Sequence, residues 1–404
     1  MDELEQVEGE LLLSGETAGE EVTESTRQFF VSKKAAALLK HEILQGYVKP
    51  FVAKVGRWAP GGRVVYLDGY AGPGRYADGT PGSPALILDS AAEIADIRKL
   101  DCYFVERRRE DFKSLKALTI EAKSRGLAAE ALSGKVEKHL AYVLKQAEGS
   151  PLLAFIDPFG LGLSFEALTE QLFGSRQPAG STGRDATEVL LNFNSNAVRR
   201  IGGLLTSPKE RPGKQATLKA MDDACGGDWW RSEFRKSSDN SEAVERIANG
   251  FALRVGDAVR SHSWTLPVRN RSHHQPAYHL VLFSRHRDGL WLFGEAISHA
   301  QTEWRREILK SSTEGTLFDD DSLFEEEEKQ KKSEWISEIK ENIVDLLRQH
   351  KSFTVDRYHS EIMGSVLGEA RQMHIRAAVK ELHREGKTGC DGKGDIPDMR
   401  ITRP

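Results

Sequence analysis

The sequence predicts an α/β fold, in which a mostly parallel β-sheet with an antiparallel hairpin is followed by a small C-terminal helical domain. Continuous apolar runs alternate with helical patterns over most of the chain, as is typical of parallel strands buried on both faces. A charged stretch of low complexity, 317–332, then precedes three short amphipathic patterns. The 404 residues are enough for one large domain plus a small one.

Composition excludes several classes of protein. The net charge is -4, so a nucleic-acid partner would need a local basic patch. The three cysteines, Cys102, Cys225 and Cys390, are far apart and form no CxxC motif, which favours a reducing compartment without structural zinc or disulfides. No apolar run approaches the roughly 20 residues of a membrane helix, and the acidic N-terminus is unlike a signal peptide. We therefore expect a cytoplasmic protein with no membrane partner.

The first domain is predicted to span 29–316, after an acidic tail (1–28) whose composition favours disorder. Leu44, Val48 and Phe51 recur at helical spacing and predict an amphipathic helix. Near the end of the domain, "AYHLVLFSRH" and "GLWLFG" flank the turn signal "RDG", which predicts an antiparallel hairpin. Four continuous apolar runs predict the parallel strands, at 64–68, 101–106, 151–157 and 188–193.

The C-terminal part, 333–404, is predicted to be a winged helix-turn-helix domain. The acidic segment 317–332 before it fits either a linker or the start of a solvated helix. One helix is marked by the apolar positions from Ile336 to Leu347, and two more are expected around 354–363 and 368–385. Turn residues and a short extended run follow, and three helices before a hairpin are the winged-helix pattern.

The stretch "YLDGYAGPGRY" (66–76) ends the first predicted strand in an acid and a glycine turn. Its order, Asp68, Tyr70, Gly72 and Gly74, is typical of S-adenosylmethionine (SAM) methyltransferases. Dinucleotide-binding dehydrogenases use G-x-G-x-x-G, and here Ala77 stands at the third glycine. The bare turn would let the backbone approach the amino-acid end of SAM, which Asp68 would orient. An ordinary glycine-rich loop is the alternative.

Two further segments are candidates for binding the adenosine part of SAM. Glu106 ends the second apolar run, and a carboxylate at the carboxyl end of a parallel strand can accept both ribose hydroxyls. Ser133 and Gly134, in "ALSGKVEKHL", would flank the adenine. The insertion "ADGTPGSPALIL" after the glycine turn would cover the cofactor. A solvated acid at a strand end is the alternative for Glu106.

The apolar run at 151–157 ends in "FIDPFG", where amino-methyltransferases carry [DNS]-P-P-[YFW]. Asp157 and the carbonyl of Pro158 would accept the hydrogens of an exocyclic amine and direct its lone pair toward the methyl group. Phe159 would stack on an extruded base. The second proline is missing and the aromatic comes one place early, so a plain turn is an equal alternative.

Polar residues also follow the apolar run at 188–193, in "LLNFNSNAVRRIG". They would bind substrate or an anion, although helix capping and surface arginines explain them as well; they are Asn192, Asn194, Asn196, Arg199 and Arg200. The histidines at 262, 273, 274 and 279 lack metal-ligand spacing, so we expect no metal site.

The third C-terminal helix carries a basic stripe beside an apolar one. Arg376, Lys380, His383 and Lys387 fall at i, i+4, i+7 and i+11, next to the apolar stripe of Ile375, Val379 and Leu382. A recognition helix needs this arrangement to contact nucleic acid. A solvated helix in a protein–protein module is the alternative.

Taken together, "KHEILQGYV", "YLDGYAGPGRY", "DGTPGSP", "FVERRRED", "FIDPFGLG" and "LLNFNSNAVRR" resemble the bacterial three-Cys-motif partner protein (TcmP) family over roughly 30–310. The segment from about 333 is similar to the winged-helix domain often appended to that family. The resemblance implies a class I methyltransferase fold and a partner protein that carries the three-cysteine motif.

The sequence therefore predicts a Rossmann-like class I methyltransferase sheet with a C-terminal winged helix. The expected function is SAM-dependent methyl transfer to a nucleic-acid amine. Two alternatives stay open: a non-catalytic adaptor for nucleic acid or a partner protein on the same fold, and a Rossmann-type enzyme that uses a dinucleotide.

Overall fold

The computed structural model of the protein describes residues 24–176, 186–207, 212–237, 239–269, 275–313 and 320–404. The chain divides into two compact units. The first comprises the residues up to His41 together with Val48–Leu290, and the second comprises Glu42–Tyr47 together with Trp291–Pro404. The sequence had placed the beginning of the second domain at 333.

The first unit is built on a seven-stranded sheet of mostly parallel strands, consistent with a Rossmann-like fold. The strand order is β3-β2-β1-β4-β5-β7-β6. Strands β1 to β5 pair in parallel, whereas β7 runs antiparallel to both of its neighbours, β5 and β6. The strands are β1 (Arg63–Asp68), β2 (Lys99–Glu106), β3 (Ala129–Ser133), β4 (Leu152–Ile156), β5 (Thr187–Phe193), β6 (His262–Val268) and β7 (Tyr278–Ser284).

Helices connect the parallel strands, as crossover connections between parallel neighbours require. A π-helical segment, Ala167–Gly174, lies between β4 and β5. The α-helices that begin in this unit are α1 (Glu24–Gly56), α2 (Ser83–Glu93), α3 (Arg109–Ser124), α4 (Leu140–Gln146), α5 (Ser195–Thr206), α6 (Lys214–Cys225), α7 (Trp229–Lys236), α8 (Asn240–Val259) and α9 (Arg287–Thr313).

The central strands are buried along their whole length, which explains their continuous apolar runs. All five residues of β4 are buried, as are five of the six in β1. One core cluster packs alternate residues of the central strands, such as Val65, Leu67 and Ile156, against the π-helical segment and α8. Alternation then leaves Asp68 on the opposite face of the sheet.

The structure confirms the four predicted parallel strands, but one prediction in this region is wrong. Residues 289–294 ("GLWLFG") belong to α9 rather than to a strand, and β7 pairs with β6 instead. A six-residue apolar run does not distinguish a strand from a buried helical turn. The glycine serves close packing, because a Cβ on Gly289 would lie 2.3 Å from Ser284 Oγ and 2.5 Å from Glu188 Oε1.

The described residues of the second unit contain the part of α9 from Trp291 onward, three further α-helices and a short two-stranded ladder. Helix α10 (Asp320–Gln349) is followed by β8 (Ser352–Thr354), α11 (His359–Met363), α12 (Gln372–Arg384) and β9 (Arg400–Thr402). Strand β9 pairs antiparallel with β8, so the predicted hairpin within the tail is wrong: residues 387–399 form turns and bends. A core of 19 buried side chains, including Ile339, Ile375 and Leu382, holds the helices together.

Two predictions about flexible segments also change. Residues 24–28 of the expected acidic tail belong to α1, while residues 1–23 lie outside the described part. The segment 317–332 is helical from Asp320 onward, which agrees with the solvated-helix alternative rather than a linker. Its residues Glu325, Glu326 and Glu327 are exposed, whereas Phe324 is buried.

No helix among the described residues combines the length and the apolar character needed to cross a membrane.

The two loop glycines Gly74 and Gly79 test whether the glycine turn serves packing. Both have φ of +84°, but a Cβ on Gly74 would lie 2.5 Å from Leu118 Cδ2, whereas one on Gly79 would meet nothing within 4 Å. We expect Gly79→Ala to cost about 1–2 kcal/mol for its left-handed backbone. Gly74→Ala should cost about 1–3 kcal/mol more, because of the overpacking against Leu118.

Urea unfolding of the two variants beside the wild type measures this difference. Equal destabilisation by Gly74→Ala and Gly79→Ala would show that the contact with Leu118 does not constrain the turn.

Candidate functional site

The acids predicted for the site meet at one edge of the sheet. Asp68 ends β1, Glu106 ends β2 and Asp157 follows β4, and these three strands are adjacent and parallel. In open α/β sheets, ligands bind outside the carboxyl ends of the strands. The candidate site is therefore the carboxyl edge of the sheet around β2, β1 and β4.

Asp68 is completely buried and holds its own loop. Its Oδ1 accepts a hydrogen bond from the Tyr70 backbone N–H (3.1 Å), and its Oδ2 accepts one from the Ser83 hydroxyl at the start of α2 (2.6 Å). Burial raises the pKa of Asp68 to about 7, and the nearby charge of Asp157 adds to this rise. The bonds from Ser83 and Tyr70 and the charge of Lys40 oppose it.

Glu106 connects the end of β2 to the glycine turn after β1. Its Oε2 accepts a hydrogen bond from the Gly72 N–H (2.9 Å), and its Oε1 accepts one from the Arg108 N–H (2.6 Å). The residue is 8% exposed. An ionised carboxylate offers about four acceptor positions, so about two remain for further donors such as a diol.

The two predicted glycines differ in what surrounds them. Gly72 has φ of +63°, and a Cβ there would meet no atom within 4 Å, so the backbone at this position faces open space. Gly74 instead approaches Leu118 on α3. The missing side chain of Gly74 makes room for the protein's own helix, whereas the backbone at Gly72 faces open space; a ligand contact at either glycine stays a prediction.

The remaining predicted cofactor residues surround Glu106 and Asp68. Ser133 is opposite Glu106 in the β2–β3 register, and the Gly134 N–H donates to the Glu106 carbonyl (3.0 Å). The carbonyl of Ser133 and Nε2 of His139 form a hydrogen bond of 2.9 Å. Tyr70 is half-buried against the main core cluster. The structure thus brings the predicted residues together.

Asp157 lies in a charged network that the sequence did not predict. Its Oδ2 pairs with the Lys40 ammonium of α1, and its Oδ1 accepts a hydrogen bond from Asn192 Nδ2 of β5 (2.5 Å). Burial acts to lower the pKa of Lys40, but the charge and hydrogen bond of Asp157 outweigh it, so this pKa is raised and the lysine stays protonated.

The oxygen of the Asn192 side-chain amide accepts no hydrogen bond from the described residues. Asn192 is 8% exposed, and its Oδ1 is buried. A buried acceptor without a partner is uncommon in folded proteins, so this oxygen is a candidate ligand contact.

Pro158 and Phe159 have opposite environments. Pro158 is buried and tightly packed, since a Cβ on Gly162 would lie 2.7 Å from its Cγ. Phe159 is 78% exposed, and its carbonyl accepts a hydrogen bond from Asn194 Nδ2 (2.7 Å). An exposed phenyl ring beside the acids is available for stacking.

A small cavity lies next to this loop rather than at the glycine turn. It is bounded by the loop after β4, the end of β5, and helices α5, α6 and α8. Its lining is mostly apolar and includes Pro158, Leu161, Asn192, Phe193, Met221 and Phe251.

The polar residues after β5 behave partly as helix caps. Asn194 is the N-cap of α5 and accepts a hydrogen bond from the Ala197 N–H (3.0 Å). Arg199 donates to Asn196 Oδ1 (2.5 Å) and to the Pro276 carbonyl (2.7 Å). The capping explanation therefore accounts for Asn194, and Arg199 braces the loop before β7.

The basic stripe of the second unit is only partly formed. Arg376 donates to the carbonyls of Gly392 (2.7 Å) and Gly394 (2.8 Å), so it holds the tail rather than facing solvent freely. Lys387 lies beyond the end of α12 at Arg384 and pairs with Glu385 (2.8 Å), which corrects its predicted place on the helix. Lys380 and His383 are exposed on α12, and the predicted apolar stripe is fully buried.

Sequence reasoning missed Lys40 and Ser83 and left the role of Asn192 open. Lys40 is 117 residues from Asp157 in the chain, and nothing in its helical pattern marks it. Ser83 had a local signal, because a serine at the start of a helix after a glycine turn often turns its hydroxyl to a nearby polar group.

Within the described ranges, no group of three or more His, Cys, Asp or Glu side chains could hold a metal ion. His273 and His274 lie outside these ranges.

No protein-family model matches the chain, and a search of curated proteins found no match.

The raised pKa of Asp68 predicts a specific pH dependence of stability. The folded protein keeps the proton up to about pH 7, whereas an unfolded aspartate loses it near 3.9. Folding therefore binds a proton between these values, and Asp68 destabilises the protein increasingly as pH rises from about 4 to 7. Asp68→Asn should remove this loss, so its stability relative to wild type should rise by up to about 4 kcal/mol over that window.

Urea unfolding at several pH values provides the measurement. Asp96→Asn, at an exposed position of the same unit, is the matched control and should keep a constant offset from wild type. If the Asp68→Asn and wild-type curves ran parallel, Asp68 would titrate normally.

Proposed function

We propose that the first unit binds SAM at the carboxyl edge of its sheet and transfers the methyl group to an exocyclic amine of a nucleic acid. The observation that carries the proposal is the environment of Gly72. Its backbone faces open space in a left-handed turn, next to the buried Asp68 and the nearly buried Glu106. A ligand with a polar, hydroxyl-bearing body fits donors and acceptors of this kind.

The sheet topology supports the same class of enzyme. An otherwise parallel sheet with a single antiparallel strand, β7, between β5 and β6 is the arrangement typical of class I methyltransferases. Four of the motifs that resemble the TcmP family contain the ends of β1, β2, β4 and β5, whereas "KHEILQGYV" lies within α1 and "DGTPGSP" leads into α2. Membership of that family, and with it a partner bearing a three-cysteine motif, is part of the proposal.

The residues at β1, β2 and β3 fit the cofactor. The free acceptor positions of Glu106 would take the ribose hydroxyls, and the open backbone at Gly72 would admit the amino-acid end. Asp68 would act indirectly, because it is completely buried and holds the turn through its hydrogen bonds with Tyr70 and Ser83. Ser133 and Gly134 stand beside Glu106 for the adenine. When bound, SAM supplies an electrophilic methyl group on a positively charged sulfur.

The residues after β4 would serve the methyl acceptor. Phe159 is exposed for stacking on a base that has left its helix. The Asp157 carboxylate beside it would favour the partial positive charge that an attacking amine develops. Lys40 stays protonated and is therefore no general base. Positioning and electrostatics would supply the catalysis.

We further propose that the second unit is a winged-helix module that binds nucleic acid. Its α12 presents Lys380 and His383 to solvent, while Lys340 neutralises Glu381 and Glu385 near the end of that helix. These positions would contact phosphates.

An adaptor without catalytic activity is the second candidate. The Lys40 ammonium occupies one oxygen of Asp157, the group expected to face the acceptor, and such a closed ion pair would suit a site that has lost its reaction. Among the described residues, only the Rossmann-like sheet favours a dinucleotide-binding enzyme, and a SAM methyltransferase has a sheet of the same kind.

Calorimetric titration of the purified protein with SAM, S-adenosylhomocysteine and NAD tests the cofactor assignment. The first two should bind and NAD should not. Glu106→Ala should weaken binding by roughly 1–3 kcal/mol, because a hydrogen-bonded charge contact is lost. Glu110→Ala, four residues away and 76% exposed, is the control and should bind as wild type.

Absence of binding at millimolar SAM, or equal affinities of Glu106→Ala and wild type, would remove the cofactor from this site. Tighter binding of NAD than of SAM would favour the dinucleotide enzyme.

Asp157 should be needed for transfer but not for cofactor binding, since it lies beyond β4 rather than along β1 and β2. Asp157→Ala should keep SAM affinity within about threefold and slow transfer by roughly 10²-fold or more, the scale of one lost transition-state contact. A radiolabelled-methyl assay on total cellular DNA and RNA measures the rate. Equal labelling by Asp157→Ala and wild type would exclude Asp157, and no labelling by a wild type that binds SAM would favour the adaptor.

A further inference from the structure

The acceptor end of the site contains a chain of three side chains from three separate elements. Lys40 of α1 pairs with one oxygen of Asp157, and Asn192 at the end of β5 donates to the other (2.5 Å). Both Asp157 oxygens are therefore engaged by the protein, and the Lys40 ammonium neutralises the charge of this carboxylate. A carboxylate that is already paired with a cation is a weaker acceptor for an incoming amine than one without such a partner.

The Asn192 amide is fixed in one orientation by this chain. An ionised carboxylate only accepts hydrogen bonds, so the amide must turn its Nδ2 toward Asp157. The flipped amide would place two oxygens against each other. The Oδ1 of Asn192 is consequently held away from Asp157, and it is the member of the chain that has no donor among the described residues.

Asn192 lies at the wall of the cavity, and its Oδ1 is buried. The residue lines the cavity together with Pro158 and Phe193, next to the loop that carries the exposed Phe159, so a donor reaches Oδ1 only when this loop shifts. An unsatisfied acceptor in a largely apolar surrounding costs free energy until a donor reaches it. A planar base with an N–H donor, stacked at Phe159, would supply that donor.

We propose that Asn192 Oδ1 accepts a hydrogen bond from the acceptor amine, and that Asp157 is a positioning residue that aims the Asn192 amide. This rests on the proposed function and deepens it, because it assigns the amine-reading contact to a side chain outside the "DPF" motif. Lys40 balances the charge of Asp157, so the chain stays in place without a ligand.

The chemical step balances without a protein base. The amine nitrogen forms its bond to the methyl carbon with its own lone pair, and the sulfur–methyl bond breaks with its electron pair going to sulfur. The nitrogen then carries one proton too many, which passes to water. The amide oxygen of Asn192 stabilises the positive charge that develops on the N–H while the bond forms.

Two variants separate the roles of Asn192 and Asp157. Asn192→Leu keeps a similar volume but removes the acceptor, and methyl transfer should fall by at least about 10²-fold while SAM affinity stays within about threefold. Asp157→Asn retains an oxygen that can accept from Asn192 Nδ2, so transfer should stay within about tenfold of wild type. Asn249→Leu, the same change at an exposed position of α8, is the control and should transfer as wild type.

A binding measurement gives a readout independent of turnover. Short homo-oligonucleotides of dA, dC or dG carry an exocyclic amine and those of dT do not, so fluorescence anisotropy in the presence of S-adenosylhomocysteine compares them directly. Wild type should prefer at least one amine-bearing oligonucleotide over dT by about tenfold, the equivalent of one hydrogen bond. Asn192→Leu should lose that preference, and Asp157→Asn should keep most of it.

Each other outcome is decisive. Normal transfer by Asn192→Leu together with an inactive Asp157→Asn would assign the amine contact to Asp157 and overturn the proposal. A wild type without transfer that shows the amine preference, lost in Asn192→Leu, would support the Asn192 contact while refuting the enzyme. A wild type with neither transfer nor preference would overturn the Asn192 contact, and SAM calorimetry then shows separately whether the cofactor assignment stands.

Discussion

The Glu106 carboxylate, held between the backbone N–H groups of Gly72 and Arg108, organises the functional edge of the sheet. It ties the turn after β1 to the end of β2, and this fixes where the open backbone of Gly72 lies. Hydrogen bonds from N–H groups to a carboxylate are charge-assisted and stronger than neutral ones. Asp68 holds the same turn from the end of β1, where its Oδ1 accepts a hydrogen bond from the Tyr70 N–H.

A second charged group lies at the ends of the next two strands, β4 and β5. It consists of Asp157 and Asn192 together with Lys40, which reaches them from α1. Parallel strands place their carboxyl ends side by side, so residues distant in the chain meet there without any local motif. The proposed site therefore has two parts on one edge: the ends of β1 and β2 for an adenosine-like ligand, and the ends of β4 and β5 for the methyl acceptor. An amide oriented by a partly buried ion pair is pre-organised, because its orientation costs nothing further when a ligand arrives.

The sequence was sufficient for the parallel strands β1, β2, β4 and β5 and for the acids that end or follow three of them, whereas β3 and β6 were not among the predicted strands. Continuous apolar runs identify buried parallel strands, and a charged residue that ends such a run lies at the carboxyl edge; Asp68, Glu106 and Asp157 follow this rule. The run at 289–294 misled, because six apolar residues fit a buried helical turn equally well. The sequence does not separate Gly72 from Gly74, because a glycine that packs against Leu118 looks the same in sequence as one that faces open space.

Long-range partners were beyond sequence reasoning. The pairing of Lys40 with Asp157 depends on where α1 passes the sheet, and helical periodicity contains no such information. Arg376 shows the same limit: its spacing fits a basic stripe, but two tail carbonyls use its guanidinium. Motif chemistry was a better guide at the strand ends, where topology restricts what can lie nearby, than on helix surfaces, where it does not.

The most direct test of the central claim is an experimental structure of the protein with S-adenosylhomocysteine. The account predicts that both ribose hydroxyls lie within hydrogen-bonding distance of the Glu106 carboxylate and that the ligand backbone passes Gly72. It also predicts that the sulfur faces the Asp157–Asn192 end of the edge. Density for the ligand elsewhere, for instance only in the cavity beside β5, or Glu106 contacting nothing but Gly72 and Arg108 in the complex, would contradict it.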